Sequence, residues 1–173
     1  MRAMIISDSH GRRDNLIAVL KKHPDYEEIF HLGDVISDEH YLRNLTPYPV
    51  HIVRGNCDYG SKAPEELVFD FHGKKVIMCH GHKYLSYAGN VEKMCQVAKA
   101  KGADIFMFGH THEPYIKELD GMLVLNPGSL ALPRNENKNP TYIVLDIDDD
   151  GNFTYELCEL TRRDLLRTGL RWH

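Results

Sequence analysis

Short apolar runs separated by polar segments make up most of this chain, and most of them have the length of one β-strand. The runs that predict strands are residues 2–7, 28–32, 50–53, 68–71, 75–79, 105–108, 116–119, 122–125, 141–147 and 153–160. Two other segments, 14–22 and 90–101, place apolar residues at helical spacing and predict helices. Asp14 is the expected N-cap of the first helix, and Gly102 is expected to end the second.

The order of these elements changes along the chain. Strands alternate with helices in the front part, whereas the back part contains strand pairs joined by short turns. This order predicts an α/β fold, a β-sandwich of two mixed sheets flanked by helices. A length of 173 residues corresponds to about one domain, so residues 1–173 are expected to form a single domain.

Composition and charge narrow the range of partners. The chain has 21 basic and 25 acidic residues, and its net charge of −4 argues against a strong nucleic-acid-binding surface. No apolar run approaches the ~20 residues that span a bilayer, and Asp8 comes too early for a secretory signal peptide. The four cysteines form no CxxC pair, which argues against a zinc ribbon or a redox motif. We therefore expect a soluble cytoplasmic protein with reduced thiols and no membrane partner.

Polar clusters rich in Asp, Asn, His and Gly follow five of the predicted strands. They are Asp8-Ser9-His10, Gly33-Asp34, Gly55-Asn56-Cys57-Asp58, His80-Gly81-His82 and Gly109-His110-Thr111-His112. Each cluster alone is typical of a turn, but turn formation does not explain why five successive clusters contain metal-ligand side chains. Because ligands bind at the carboxyl ends of strands in α/β sheets, we expect these side chains to converge.

The chemistry of these clusters indicates a metal centre. Carboxylates, an amide oxygen and imidazoles together suit Mg²⁺, Mn²⁺, iron, Ni²⁺ or Zn²⁺. Their number exceeds what one catalytic ion with open positions requires, so the pattern favours two ions. Two cations ~3.5–4 Å apart can activate a water and hold phosphate oxygens during an in-line displacement.

The order and spacing of the clusters resemble the signature of the calcineurin-like metallophosphoesterases: D-x-H, G-D, G-N-H-[DE], H and G-H-x-H. The short chain, Cys57 and the segment Asn126-Pro127-Gly128-Ser129 resemble the small YfcE-type phosphodiesterases within that family. The resemblance extends from Asp8 to Ser129. It implies a metal-dependent phosphoric ester hydrolase, with a phosphodiester as the expected substrate and manganese as the expected ion.

The resemblance also implies a ligand set for two divalent ions. One ion is expected to bind Asp8, His10, Asp34 and His112, and the other Asp34, Asn56, His80 and His110. Asp34 is the expected bridge between them. In this arrangement a metal-bridging hydroxide attacks phosphorus, without a covalent enzyme intermediate.

One position departs from the family pattern. Cys57 stands where the family usually has a histidine that contacts phosphate or protonates the leaving group. A neutral thiol is a poor replacement for an imidazolium, so His82 is the candidate catalytic acid. Asp58 is a second catalytic candidate, expected to orient a histidine or the Asn56 loop. Asn56, Cys57 and Arg54 are candidate substrate-binding residues, although Arg54 also suits a structural ion pair.

Two other functions fit the same sequence pattern. The first is a non-catalytic metal-binding scaffold for protein partners, because a eukaryotic retromer subunit resembles this fold with an altered metal site. The second is a phosphomonoesterase. Every ligand position of the motif holds a competent residue here, which favours an enzyme. The expected partner is a small phosphodiester or nucleotide-like molecule, and exposed aromatic loops leave a homo-oligomer open.

Overall fold

A computed structural model of the chain describes residues 1–36, 39–85, 91–148 and 150–167. Its strands are β1 (Arg2–Ile6), β2 (Glu28–His31), β3 (Val50–Ile52), β4 (Glu66–Phe71), β5 (Lys74–Cys79), β6 (Ile105–Met107), β7 (Pro114–Leu119), β8 (Met122–Pro127), β9 (Thr141–Ile147) and β10 (Phe153–Glu159). Its helices are α1 (Arg13–Lys22), α2 (Glu39–Leu45), α3 (His82–Leu85), α4 (Val91–Ala100) and α5 (Arg162–Arg167).

The strands form two mixed sheets. The first has the order β10-β9-β1-β2-β3, and the second has the order β4-β5-β6-β8-β7. In the first sheet, β1, β2 and β3 are parallel, whereas β9 and β10 run antiparallel to their neighbours. In the second, β5, β6 and β8 are parallel, with β4 and β7 as antiparallel edges. The predicted sandwich of two mixed sheets flanked by helices is confirmed.

The core lies on both faces of the first sheet. Ala3 and Ile5 of β1 pack into the layer between the two sheets. Met4 and Ile6 of the same strand point the other way, into a second layer that includes Val19 of α1. All four β1 side chains are fully buried, which explains why this strand is an uninterrupted apolar run rather than an alternating one.

The parallel strands place the polar clusters at one edge of the sandwich. The clusters at Asp8, Asp34 and Asn56 follow β1, β2 and β3, which end side by side. The clusters at His80 and His110 follow the neighbouring strands β5 and β6 of the other sheet. Convergence of distant loops is therefore a direct consequence of the sheet topology.

The structure differs from the sequence-based expectations mainly in its helices. Asp14 is not an N-cap: α1 begins at Arg13, Arg12 occupies the cap position without a side-chain bond, and Asp14 lies in the first turn. There its carboxylate still complements the helix dipole. The short helices α2, α3 and α5 were not predicted, because four to seven residues show too little apolar periodicity. Asn90, the predicted start of the other helix, lies outside the described residues.

Candidate metal centre

Backbone strain is concentrated at the predicted metal ligands. Five of them have positive φ angles: Asp8 (52°), His10 (42°), Asp34 (56°), His110 (69°) and His112 (61°). Residues with side chains rarely adopt this region, at a cost of order 1–3 kcal/mol each, and such residues cluster at functional sites. The fold therefore holds these side chains in conformations that local structure alone does not favour.

The Asp8 carboxylate is buried, and only one of its two oxygens accepts hydrogen bonds. Its Oδ2 accepts hydrogen bonds from the Ser7 hydroxyl at 2.5 Å and from the His110 backbone N–H at 3.1 Å. Its Oδ1 has no hydrogen-bond donor among the described residues. Instead, Oδ1 lies 3.0 Å from Nε2 of His112 and 3.8 Å from Nε2 of His10. A buried carboxylate oxygen without a donor is what a cation-binding position requires.

The Nε2 atoms of the two histidines on this side face each other and Asp8. Nδ1 of His112 lies 2.9 Å from the Leu132 carbonyl, which can only accept, so Nδ1 carries the proton. In the neutral ring this leaves a lone pair on Nε2, which faces Asp8 and lies 3.3 Å from Nε2 of His10. Fixing the ring through its other nitrogen is typical of metal-binding histidines.

The same arrangement recurs around Asp34. Nδ1 of buried His80 lies 2.7 Å from the Leu32 carbonyl, so the neutral ring presents an Nε2 lone pair to the centre. That nitrogen lies 3.6 Å from Asp34 Oδ2 and 3.1 Å from Asn56 Oδ1. Asp34 Oδ2 also lies 3.8 Å from Nε2 of His10, so this carboxylate stands between the two groups of imidazoles.

The carboxylates make the centre favourable for positive charge. Burial opposes the change, but Asp34 and Asp8 together raise the pKa of His80 above its usual value. Asp8 likewise raises the pKa of His112 against the effect of burial. Burial also opposes ionisation of Asp34, yet His80 and the Cys57 backbone N–H lower the pKa of this carboxyl. Asp8 and Asp34 therefore favour positive charge at this centre, which a bound divalent ion would supply.

All seven predicted ligands lie at this edge, but His110 is in none of the sets of converging ligand atoms and contacts the centre through its ring. Ligand atoms lie within 4.8 Å of one another in three sets: Asp8, His10 and His112; Asp8, Asp34 and His80; and His10, Asp34 and Cys57. Asn56 joins through His80, and the ring centroid of His110 lies 5.1 Å from that of His80. The residues present therefore fit a site for divalent metal ions, by their donor types and by the unpaired oxygen of Asp8.

Three glycines permit the loops to approach this closely. A Cβ on Gly55 would lie 2.1 Å from Asp34 Oδ1, and one on Gly109 would lie 2.1 Å from Ser7 Oγ. Gly33 has a φ of +96°, and its Cβ would lie 2.8 Å from Nδ1 of His80. Each glycine in the G-D, G-N and G-H motifs is thus needed for space beside the centre.

Asp58 holds two of the loops together. Its Oδ2 accepts the backbone N–H groups of Asp34 and Gly55, both at 2.8 Å, and its Oδ1 accepts that of Ile36 at 2.7 Å. The carboxylate is buried and faces backbone rather than an imidazole. In this geometry Asp58 is a positioning residue for the Asp34 and Asn56 loops, one of its two expected roles, rather than a group that touches substrate.

Cys57 is bound into the Asp34 loop. Its backbone N–H donates to Asp34 Oδ1 at 2.7 Å, and the Asn56 amide donates to its Sγ at 3.2 Å. Burial and then the Asp34 carboxylate raise the pKa of the Cys57 thiol to about 11, so the thiol is neutral at physiological pH. This agrees with the expectation that the thiol does not replace an imidazolium.

The other two candidates flank the centre. Arg54 forms an ion pair with Glu65, which also pairs with Lys83. The structure thus contains the ion pair that was the second of the two roles expected for Arg54. His82 is the first residue of α3, and its ring centroid lies 5.5 Å from that of His80 and 6.2 Å from that of His110. Burial and the neighbouring His80 lower the pKa of His82. His80, His82 and Lys83 help to line a cavity of about 310 Å³.

Sequence reasoning missed residues that form hydrogen bonds with the ligand loops from the protein interior. His31, which belongs to none of the five polar clusters, is fully buried. Its Nδ1 accepts the Gly33 N–H at 3.2 Å, so its Nε2–H donates to the Ser9 hydroxyl at 2.9 Å. Burial lowers the pKa of His31 to about 4, which keeps the ring neutral. The Ser129 hydroxyl donates to the Asp8 carbonyl at 2.9 Å. Such second contacts leave no spacing signal in a sequence.

Comparison with known proteins gives one consistent family. The calcineurin-like phosphoesterase superfamily domain matches residues 1–150. The chain is 33% identical to a probable metallophosphoesterase of Bacillus subtilis, YsnB, over 87% of this chain and 86% of that protein. A predicted phosphoesterase of Streptococcus pneumoniae superposes with a TM-score of 0.71 at 28% identity, covering 92% of this chain and 97% of that one. Vps29 of Entamoeba histolytica (a single mutant) superposes with a TM-score of 0.72 at 25% identity, covering 93% and 100%. The chain therefore belongs to the calcineurin-like phosphoesterase superfamily, as its motifs predict.

Proposed function

We propose that this protein is a two-metal phosphodiesterase, with Mn²⁺ as its first candidate ion and Ni²⁺, Fe²⁺, Zn²⁺ and Mg²⁺ as alternatives. One observation carries the proposal: imidazole lone pairs of His112 and His80 face the oxygens of Asp8, Asp34 and Asn56 across a partly buried centre. Opposed acceptors of this kind are stabilised by bound cations. Family membership supports the phosphoesterase activity, and the YfcE-type motifs support a diester.

The residues of the centre have separable tasks in this reaction. When bound, the two ions supply Lewis acidity that activates a water and offsets charge on the phosphate oxygens. Asp34 holds its carboxylate between the His10 and His80 sides of the centre, where it can bridge. The Leu132 and Leu32 carbonyls fix the tautomers of His112 and His80, so that the lone pairs stay directed inward.

The surroundings of the centre support a small polar substrate. The cavity of about 310 Å³ beside His80 matches the lower range of ligand pockets, roughly 300–1,000 Å³. Its lining includes Glu65, Lys83 and Tyr84, which suits a polar or aromatic ester group. A net charge of −4 does not favour a long nucleic acid, so a small diester or nucleotide-like molecule fits better.

A metal-dependence assay tests the proposal. We expect metal-depleted protein to be inactive on bis(p-nitrophenyl) phosphate and added Mn²⁺ to restore turnover, because activation of the water depends on the bound ions. The diester is expected to react faster than p-nitrophenyl phosphate under the same conditions. Faster monoester cleavage would favour the phosphomonoesterase alternative. Metal binding without turnover of any ester would favour the scaffold alternative, for which the likeness to Vps29 is the supporting observation.

His82 is expected to protonate the leaving group, and because burial and His80 lower its pKa, this contribution is expected to grow as the pH falls. We expect His82→Ala to lower kcat at least ~tenfold for a diester with a poorly acidic alcohol, since general acids contribute roughly 10²–10⁴-fold. A p-nitrophenyl ester needs no such help and is expected to change little. The exposed His40 of α2 provides a matched control, His40→Ala, that should leave both rates unchanged. Equal rates of the His82 variant and the wild type on both esters would remove His82 from the mechanism.

A further inference from the structure

The chain that follows β8 wraps around the Asp8 and His112 side of the centre. The backbone N–H groups of Leu130 and Ala131 donate to the carbonyls of Ser7 and Asp8, at 3.1 and 3.2 Å. The carbonyl of the next residue, Leu132, accepts a hydrogen bond from Nδ1 of His112. This segment therefore has a fixed position relative to two candidate metal ligands.

Arg134 extends this segment to the surface of the centre. Its backbone N–H donates to the His112 carbonyl at 2.9 Å, and its Nη1 donates to the Thr111 carbonyl at 3.2 Å. Both contacts lie on the loop that carries His110 and His112. The side chain is exposed, so its remaining guanidinium donors are open to a ligand.

Arg134 differs from Arg54 in its charge balance. Arg54, which the sequence places beside the Asn56 loop, donates to the Glu65 carboxylate, so part of its guanidinium is already occupied. Arg134 forms no ion pair with a carboxylate of the described residues. A guanidinium held at a fixed point without a counter-ion is suited to bind a phosphate oxygen, often through two parallel hydrogen bonds.

We propose that Arg134 is a substrate-binding residue that contacts the anionic phosphoryl group at the metal centre, the role that Arg54 was expected to have. The inference rests on the proposed phosphoesterase function and adds the residue that fixes the orientation of the phosphoryl group. The guanidinium is anchored on the His112 loop, whereas the cavity is lined by His80 and His82, so Arg134 would hold the phosphate from the His112 loop. Arg134 acts on the phosphate alone and contributes no ligand to the ions.

Steady-state kinetics with Mn²⁺ and bis(p-nitrophenyl) phosphate test this role. We expect Arg134→Gln to lower kcat/KM by about 10- to 100-fold, the range for loss of a hydrogen bond between charged groups. Inhibition by inorganic phosphate should weaken by a similar factor, while Mn²⁺ affinity measured by calorimetry stays within about twofold of the wild type. Arg134→Lys keeps the positive charge but lacks the planar set of guanidinium donors, so its kcat/KM should lie between that of Arg134→Gln and that of the wild type.

A control on α5 separates local from general charge effects. Arg163 is exposed and lies on a helix that carries none of the candidate ligands, so Arg163→Gln is expected to match the wild type. Wild-type kcat/KM and phosphate inhibition in Arg134→Gln would overturn the inference. If the Mn²⁺-loaded wild type hydrolyses no ester, the proposed function fails, and calorimetric phosphate binding then decides the role of Arg134. Loss of that binding in Arg134→Gln supports the role, and unchanged binding overturns it.

Discussion

Replacement of Asp34 by Asn is expected to abolish metal-dependent hydrolysis. Asp34 Oδ2 stands between Nε2 of His10 and Nε2 of His80, at 3.8 and 3.6 Å, so one negative charge serves both sides of the centre. Removal of a buried charge from its partners costs ~3–5 kcal/mol, or roughly 10²- to 10⁴-fold in rate or affinity. Calorimetric titration with Mn²⁺ and a diester assay check the two expected losses separately.

Replacement by Asn removes the charge of Asp34 without disturbing its backbone conformation. Asp34 has a φ of 56°, and Asn is among the few residues that tolerate this region. Asp120, in the turn between β7 and β8, has a similar φ of 49° and provides a matched control. We expect Asp120→Asn to retain wild-type metal binding and activity. Retention of both by Asp34→Asn would show that this carboxylate does not bridge the ions.

The apolar pattern predicts most of the strands, because the burial of a strand determines which of its residues are apolar. β1 is continuous in sequence since it is covered on both faces, and β9 has the same character for the same reason. The hairpin turns at His72-Gly73 and Asp120-Gly121 are also predictable, because glycine favours the positive φ that two-residue turns require. In the structure all four residues have a positive φ. The order of strands is not predictable in this way. The placement of β9 beside β1 depends on pairing between residues about 140 positions apart, for example Ala3 with Leu145.

The ligand set is predictable for a different reason. A ligand must present a particular atom type, so Asp, Asn and His recur at fixed positions after the strands. Supporting contacts have no such requirement, because backbone carbonyls can be supplied by residues of any type. Leu132 and Leu32 orient two imidazoles through their carbonyls, and neither residue type suggests that role. The pairing of Arg54 with Glu65 likewise depends on where the 61–65 segment lies, which the sequence pattern does not state.

Gly55→Ala is expected to have the second large effect, and it tests the close approach of the loops. A Cβ at this position would lie 2.1 Å from Asp34 Oδ1 and 2.4 Å from the Asp34 backbone nitrogen. The backbone cannot easily withdraw, because Asp58 Oδ2 binds the N–H groups of both Asp34 and Gly55. We expect the free energy of unfolding to fall by ~1–3 kcal/mol, the usual range for overpacking. We also expect Mn²⁺ affinity and activity to be lost as the Asp34 carboxylate is displaced.

The control must separate this collision from a general effect of adding a methyl group to a loop glycine. Gly60 lies nearby in sequence, has a φ of +78°, and has no atom within 4 Å of its hypothetical Cβ. Gly60→Ala is therefore expected to lose ~1–2 kcal/mol of stability from its left-handed conformation, while Mn²⁺ affinity and diester hydrolysis remain at the wild-type level. Denaturant unfolding together with Mn²⁺ calorimetry distinguishes the two variants. Full Mn²⁺ affinity in a folded Gly55→Ala protein would contradict the placement of Asp34 at the centre, because the added methyl group and the carboxylate cannot occupy the same space.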